Sequence, residues 1–132
     1  MNAKEWTSEA GYPCHIVLVR GQHYCGYVTL PTDHPFYDVA YNQDVPDRFR
    51  DRAEAVLKGP VGKRGVVNVF IASGLGLKAG DLFDVHGSIT YTRKGVWGFD
   101  CAHSGDSLEV QNLDYVTAEC ESLARQLKEF AS

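Results

Sequence analysis

The clearest pattern along the chain lies near its C-terminal end, where apolar residues recur every three or four positions. This spacing predicts an amphipathic helix of about five turns, whose apolar stripe packs on one face of a sheet. Asn112 is a suitable N-cap, and Asp114 places a negative charge in the first turn, where the helix dipole favours it. The stripe consists of Leu113, Val116, Cys120, Leu123, Leu127 and Phe130.

Two short runs rich in β-branched and aromatic residues come earlier in the chain, at 14–20 and 23–30. They predict two strands of an antiparallel hairpin, because Gly21-Gln22 between them suits a two-residue turn. That turn would pair Leu18 with Cys25.

The middle of the chain alternates between irregular and regular patterns. Residues 32–42 are rich in turn-forming residues and predict a loop. Residues 46–58 show helical spacing, with Asp44 as a candidate cap and Gly59-Pro60 as a stop signal. Residues 66–71 predict a further strand.

Two more strands are predicted at 82–92 and 96–102, with Arg93-Lys94-Gly95 as the turn between them. The chain shows no internal repeat and no Pro- or Ser-rich linker. We therefore predict a single domain, 1–132, of the α+β class. Its architecture is a mostly antiparallel sheet of about five strands with the C-terminal amphipathic helix packed on one face.

The register of the second hairpin is open at this stage. If Lys94-Gly95 is the whole turn, His86 falls opposite His103. If Arg93 also belongs to the loop, the pairing slips by one residue, and Asp100 shares a face with His86. Both registers place the two histidines on neighbouring strands near the open end of the hairpin.

Composition and charge narrow the class of protein. The chain has 132 residues, a net charge of −4 and 13 basic residues, and the densest basic group, within 48–52, alternates with aspartates. This pattern argues against nucleic-acid binding, which draws on clustered Lys and Arg. No apolar run reaches the roughly 20 residues that span a bilayer, and the N-terminal segment lacks the apolar stretch of a secretory signal. We therefore expect no membrane association and a cytoplasmic location.

The four cysteines are Cys14, Cys25, Cys101 and Cys120. None of them forms a Cys-x-x-Cys pair, which argues against a closed structural zinc site. Without a secretory signal, we expect reduced thiols that serve as small apolar fillers.

Polar, protonatable residues are concentrated in two segments, Asp84–Gly87 (DVHG) and Gly98–Asp106 (GFDCAHSGD). Two imidazoles with carboxylates are suitable for a divalent metal, for acid–base chemistry or for ligand binding without chemistry. A buried hydrogen-bonded network is the fourth interpretation. Catalytic residues, metal and cofactor stay undetermined at this stage, although Cys101 and Ser104 are candidate nucleophiles. The candidate ligand-binding residues are His86, Asp100, His103 and Asp106.

The chain contains DVHG followed by Thr90-Tyr91, and further on the GFDCAHSGD run. With both motifs it resembles a group of small proteins encoded by tailed bacteriophages and prophages. The resemblance covers about residues 26–127, with Ser88 where such proteins have a second glycine. It implies an accessory protein in the cytoplasm of the bacterial host. Such a protein would bind a small polar ligand or a host protein, for example as an inhibitor of a host defence system. The alternative is a small hydrolase, metal-dependent or not, that uses the same cluster.

Overall fold

The computed structural model describes residues 1–57 and 78–132. In this part of the chain, five strands form one antiparallel sheet in the order β1-β2-β3-β5-β4. The strands are β1 (Asn2–Thr7), β2 (Pro13–Val19), β3 (His23–Thr29), β4 (Tyr91–Arg93) and β5 (Val96–Asp100). The α-helices are α1 (Arg50–Leu57) and α2 (Leu113–Ala131), and 3-10 turns cover Asp47–Phe49 and Ala79–Leu82.

Helix α2 confirms the predicted α+β architecture, because it packs on one face of the sheet against β2 and β3. Asn112 caps it as expected, since its side chain accepts the backbone N–H of Tyr115 at 2.9 Å. The buried positions of the helix follow the predicted stripe and are Val116, Cys120, Leu123, Ala124, Leu127 and Phe130.

The aromatic core lies between the sheet and α2. Phe36 comes from the predicted loop, yet it is fully buried and stacks on Trp97 with ring centroids 5.8 Å apart. His34 holds this loop in place: its Nε2 lies 2.8 Å from the carbonyl oxygen of Leu127, and its Nδ1 accepts the N–H of Phe36 at 2.9 Å. The loop is therefore part of the core.

The first hairpin forms, but its predicted register is wrong by one residue. Leu18 pairs with Tyr24, not with Cys25, because the loop has three residues, Arg20–Gln22. Arg20 and Gly21 both have positive φ angles, 53° and 67°, and the N–H of Gln22 donates to the carbonyl of Val19. The four cysteines are free and buried, as expected.

The second hairpin has the register of a two-residue Lys94-Gly95 turn, with Thr92 opposite Trp97. The predicted strand 82–92 is wrong for most of its length, since only its last two residues belong to β4. Its apolar residues turn into the core: Leu82, Phe83, Val85 and Ile89 are all buried.

Two predictions remain, one for a helix and one for a strand. The helix expected at 46–58 appears as the 3-10 turn followed by α1. Asp44 does not cap it, because its carboxylate pairs with Lys78 and no side-chain hydrogen bond caps this helical segment at Pro46. The strand predicted at 66–71 lies outside the described residues. Strand β1 had no prediction, because its residues are mostly polar and exposed.

No helix in the part of the chain that the structure describes is both long enough and apolar enough to cross a lipid bilayer.

Candidate functional site

The two histidines of the candidate cluster lie in loops rather than on neighbouring strands, so the strand placement was wrong. His86 is in the loop that precedes β4, and His103 is in the loop that follows β5. Their rings nevertheless approach each other with centroids 5.5 Å apart. The proximity that the sequence suggested is therefore present, although the hairpin does not produce it.

Helix α2 anchors the loop that carries His86. The side-chain amide of Gln126 bonds to both backbone groups of Asp84, accepting its N–H and donating to its carbonyl, each at 2.8 Å. About two turns earlier on the helix, the carboxylate of Glu119 accepts the backbone N–H of His86 at 2.7 Å. These bonds fix the backbone of His86 against a rigid helix.

Asp106 is the centre of the cluster. Its Oδ2 lies 2.9 Å from Nε2 of His86, 3.0 Å from Nδ1 of His103 and 2.9 Å from the backbone N–H of His103. The hydrogen bond from His86 is the main reason that the pKa of Asp106 is lowered to about 2, and the bonds from His103 act in the same direction. Asp106 is therefore a carboxylate at neutral pH.

The carboxylate of Asp106 determines the tautomers of both rings, because it can only accept hydrogen bonds. A neutral His86 must carry its proton on Nε2, so its Nδ1 accepts the hydroxyl of Tyr115 at 2.9 Å. A neutral His103 must carry its proton on Nδ1. Its Nε2 then carries an unprotonated lone pair, and the side chain is 38% exposed.

Asp100 completes the set at the end of β5. Its carboxylate is held by the hydroxyl of Thr90 and by the backbone N–H of Ala102, both at 3.1 Å. One of its oxygens lies 3.8 Å from Nε2 of His103. The structure thus brings together all four residues predicted from the sequence: His86, Asp100, His103 and Asp106.

Sequence reasoning missed the contributions of Tyr115 and Glu119. Both were assigned only to the C-terminal helix, where they are four residues apart and next to the apolar stripe. Residues at this spacing lie on one face of a helix. Since this face meets the loop of His86, the polar pair was the available signal.

Glycine is required beside the cluster. Gly87 has a φ of 68°, and a Cβ atom built on it would lie 2.2 Å from Cε1 of His103. The N–H of Ser88 donates to the carbonyl of Val85 at 3.0 Å and closes a turn that presents His86. Ser88 itself has a φ of 92°, a backbone conformation that residues other than glycine rarely adopt.

Cys101 is not suited to act as a nucleophile. It is buried, and burial is the main cause that raises its pKa to about 12, with Asp106 acting in the same direction. The thiol therefore stays protonated, whereas a nucleophilic cysteine must be a thiolate.

Three side chains of the cluster offer atoms that could ligate a metal ion. One nitrogen each of His86 and His103 and one carboxylate oxygen of Asp106 lie within 4.8 Å of one another.

Comparisons of the chain with protein-family models, with curated proteins and with solved structures find no match.

Proposed function

We propose that the cluster of His86, Asp100, His103 and Asp106 binds a small, positively charged polar ligand. The observation that carries this proposal is the arrangement of acceptors around His103. With Nδ1–H directed to Asp106, the ring presents its Nε2 lone pair beside the partly exposed carboxylate of Asp100. A ligand that donates hydrogen bonds and carries positive charge complements such a surface.

The local charge favours the same class of ligand. Asp100, Asp106 and Glu119 each contribute a carboxylate to the site, and these three carboxylates outnumber the two imidazoles whatever the charge of the rings. A cation therefore gains Coulomb energy at this position, and an anion loses it.

The resemblance to phage proteins supplies the cellular setting of this proposal. In an infected bacterium, a cationic group could belong to a free small molecule or to a Lys or Arg side chain of a host protein. We infer an accessory protein that acts through this contact, with inhibition of a host defence system as one form that the contact could take.

Methylguanidinium is a simple probe of the proposal. Titrated into 15N-labelled protein in the presence of EDTA, it should shift the backbone amide signals of residues 100–106. Asp100→Asn should weaken the binding at least about tenfold, because a charge-assisted hydrogen bond is lost. Asp81→Asn, at an exposed position outside the cluster, is the matched control. Equal shifts in wild type and Asp100→Asn, or no shifts at all, would contradict the proposal.

A graded stability series tests whether the cluster serves binding or only holds the fold. His103→Ala leaves the bond between His86 and Asp106 intact, so we expect its unfolding free energy to fall by less than about 1 kcal/mol. His86→Ala removes the partner of both Tyr115 and Asp106 and should lower it by about 1–3 kcal/mol. If His103→Ala is as destabilising as His86→Ala in urea denaturation, the cluster is better explained as a structural network.

Hydrolysis is a second candidate function, favoured by one observation. Asp106 orients His103 through Nδ1 and leaves Nε2 free, which is the arrangement of a general base. Through Nε2, His103 would take a proton from water while the water oxygen bonds to an ester carbon or phosphorus. The bond from that atom to the leaving oxygen then breaks, and the leaving alkoxide or phenoxide takes the proton from His103. Turnover of p-nitrophenyl acetate or bis(p-nitrophenyl) phosphate in EDTA should then disappear in His103→Ala and persist in His23→Ala. No turnover above buffer by the wild type would remove this candidate.

A further inference from the structure

We infer that the cluster holds a divalent transition-metal ion, with Nε2 of His86, Nδ1 of His103 and Oδ2 of Asp106 as its ligands. The inference goes beyond the proposed function, because the metal lies between the two rings and Asp106, whereas the proposed ligand contacts Nε2 of His103 and Asp100. A ring that holds the metal on Nδ1 carries its proton on Nε2, so the two ligands bind as alternatives. The evidence for the metal is the geometry of the three atoms and the groups that face the opposite sides of the two rings.

The three ligand atoms already stand close to the separations that a metal requires. Oδ2 of Asp106 is 2.9 Å from Nε2 of His86 and 3.0 Å from Nδ1 of His103. Ligand atoms around a tetrahedral zinc ion, with bonds of about 2.0–2.1 Å, are separated by about 3.3 Å. The two separations from Oδ2 are thus within about half an ångström of this value, and all three ligand atoms lie within 4.8 Å of one another.

The donor set selects the class of metal. Two imidazole nitrogens and one carboxylate oxygen suit zinc and neighbouring transition metals better than magnesium or calcium, which prefer oxygen ligands. Three protein ligands leave a fourth position for water or for a bound ligand. The exposed side of His103 provides access to that position, whereas the side chains of His86 and Asp106 are only 16% and 10% exposed.

The outer nitrogens of both rings face groups that suit the metal-bound form. Histidine ligands usually donate their other N–H to a carboxylate or another acceptor, which orients the ring. Nδ1 of His86 meets the hydroxyl of Tyr115 at 2.9 Å, and this hydroxyl can accept as well as donate. Nε2 of His103 faces an oxygen of Asp100 at 3.8 Å.

A metal on Nδ1 of His103 suits the contact with Asp100 better than a neutral, hydrogen-bonded His103 does. When neutral His103 donates through Nδ1 to Asp106, its Nε2 lone pair faces the Asp100 carboxylate, so two acceptors oppose each other. A metal on Nδ1 removes this mismatch, because the single ring proton then resides on Nε2 and points at Asp100. His86 changes tautomer in the same way, with its proton on Nδ1 donated to Tyr115. Each ring keeps one proton, so no net proton release is needed.

Isothermal titration with ZnCl2 tests the stoichiometry on protein first treated with EDTA and then dialysed free of it. We expect one equivalent per chain. Asp106→Asn and His103→Ala, which remove ligands, should weaken binding by more than about 100-fold, and Asp100→Asn should weaken it by about 10–100-fold. His23→Ala, a histidine outside the cluster, should bind zinc as the wild type does. No saturable binding, or equal affinity in wild type and His103→Ala, would overturn the inference.

The imidazole 15N signals of the wild type provide a readout that does not depend on how the variants fold. Zinc should move the ring proton of His86 from Nε2 to Nδ1, and that of His103 from Nδ1 to Nε2. Unchanged tautomers, or rings protonated on both nitrogens with and without zinc, would contradict the metal site. If zinc fails while methylguanidinium still binds in EDTA, the metal inference alone is wrong. If both probes fail, the proposed function is wrong as well.

Discussion

Replacing Ser88 with glycine should stabilise the protein. Ser88 has a φ of 92°, immediately after Gly87 with a φ of 68°, in the loop that presents His86. The N–H of Ser88 closes the turn on the carbonyl of Val85, so the rest of the loop holds this residue in place. A residue other than glycine in such a sparsely populated region costs of order 1–3 kcal/mol.

The magnitude follows from two opposing effects. Glycine removes the backbone strain at position 88, but it also increases the conformational entropy of the unfolded chain, which costs about 0.4–1 kcal/mol. The difference is a gain of about 1 kcal/mol in unfolding free energy, or a few degrees in Tm for a chain of this size.

Urea denaturation of Ser88→Gly and Ser104→Gly provides the comparison. Ser104 is an exposed serine of the neighbouring loop, and it has no positive φ. The same substitution there should destabilise the protein by about 0.4–1 kcal/mol, since only the effect on the unfolded chain remains. If Ser88→Gly is no more stable than the wild type, or if both variants change in the same direction, the strain assigned to Ser88 is refuted.

Three further predictions concern the core. Leu123→Asp should lower the unfolding free energy by several kcal/mol, because it buries an unpaired charge. Ala118→Asp on the exposed face of α2 should have little effect. A Tm of Leu123→Asp within a few degrees of wild type would contradict the packing of α2. Burial lowers the pKa of His34, and its Nδ1 accepts the N–H of Phe36, so unfolding free energy should fall as the pH drops below about 6.5, with a steeper slope in wild type than in His34→Gln. Alkylation of denatured, unreduced protein should modify four thiols by mass spectrometry, and a count of two would indicate a disulfide.

The sequence alone was sufficient for features whose determinants lie within a few residues of each other. The apolar period and the Asn112 cap predicted α2, because a helix is specified by side chains one turn apart. Lys94-Gly95 was compatible with the two-residue turn that connects β4 and β5. The first hairpin shows the limit of such signals: Gly21 marked the turn, but the left-handed conformation of Arg20 lengthened the loop and shifted the register.

Tertiary packing decided the segment between 82 and 90. Its apolar residues are compatible with a strand by pattern, but the structure buries Phe83, Val85 and Ile89 in the core and does not extend the sheet with them. The turn at Gly87 and the bonds from α2 then hold the segment as a loop. Periodicity cannot distinguish these outcomes, because it records which residues are apolar and not what covers them.

The candidate cluster shows the same division. The concentration of His and Asp in two segments was visible along the chain, and it correctly indicated four residues that meet in space. Asp106 as the shared acceptor, and Tyr115 and Glu119 as supports, emerged only from the folded chain. These contacts join residues of separate loops and α2, and their geometry depends on how the helix lies on the sheet. Hydrogen bonds form only when the donor–acceptor distance is within a few tenths of an ångström of its usual value, so the tertiary structure alone determined which group bonds to which.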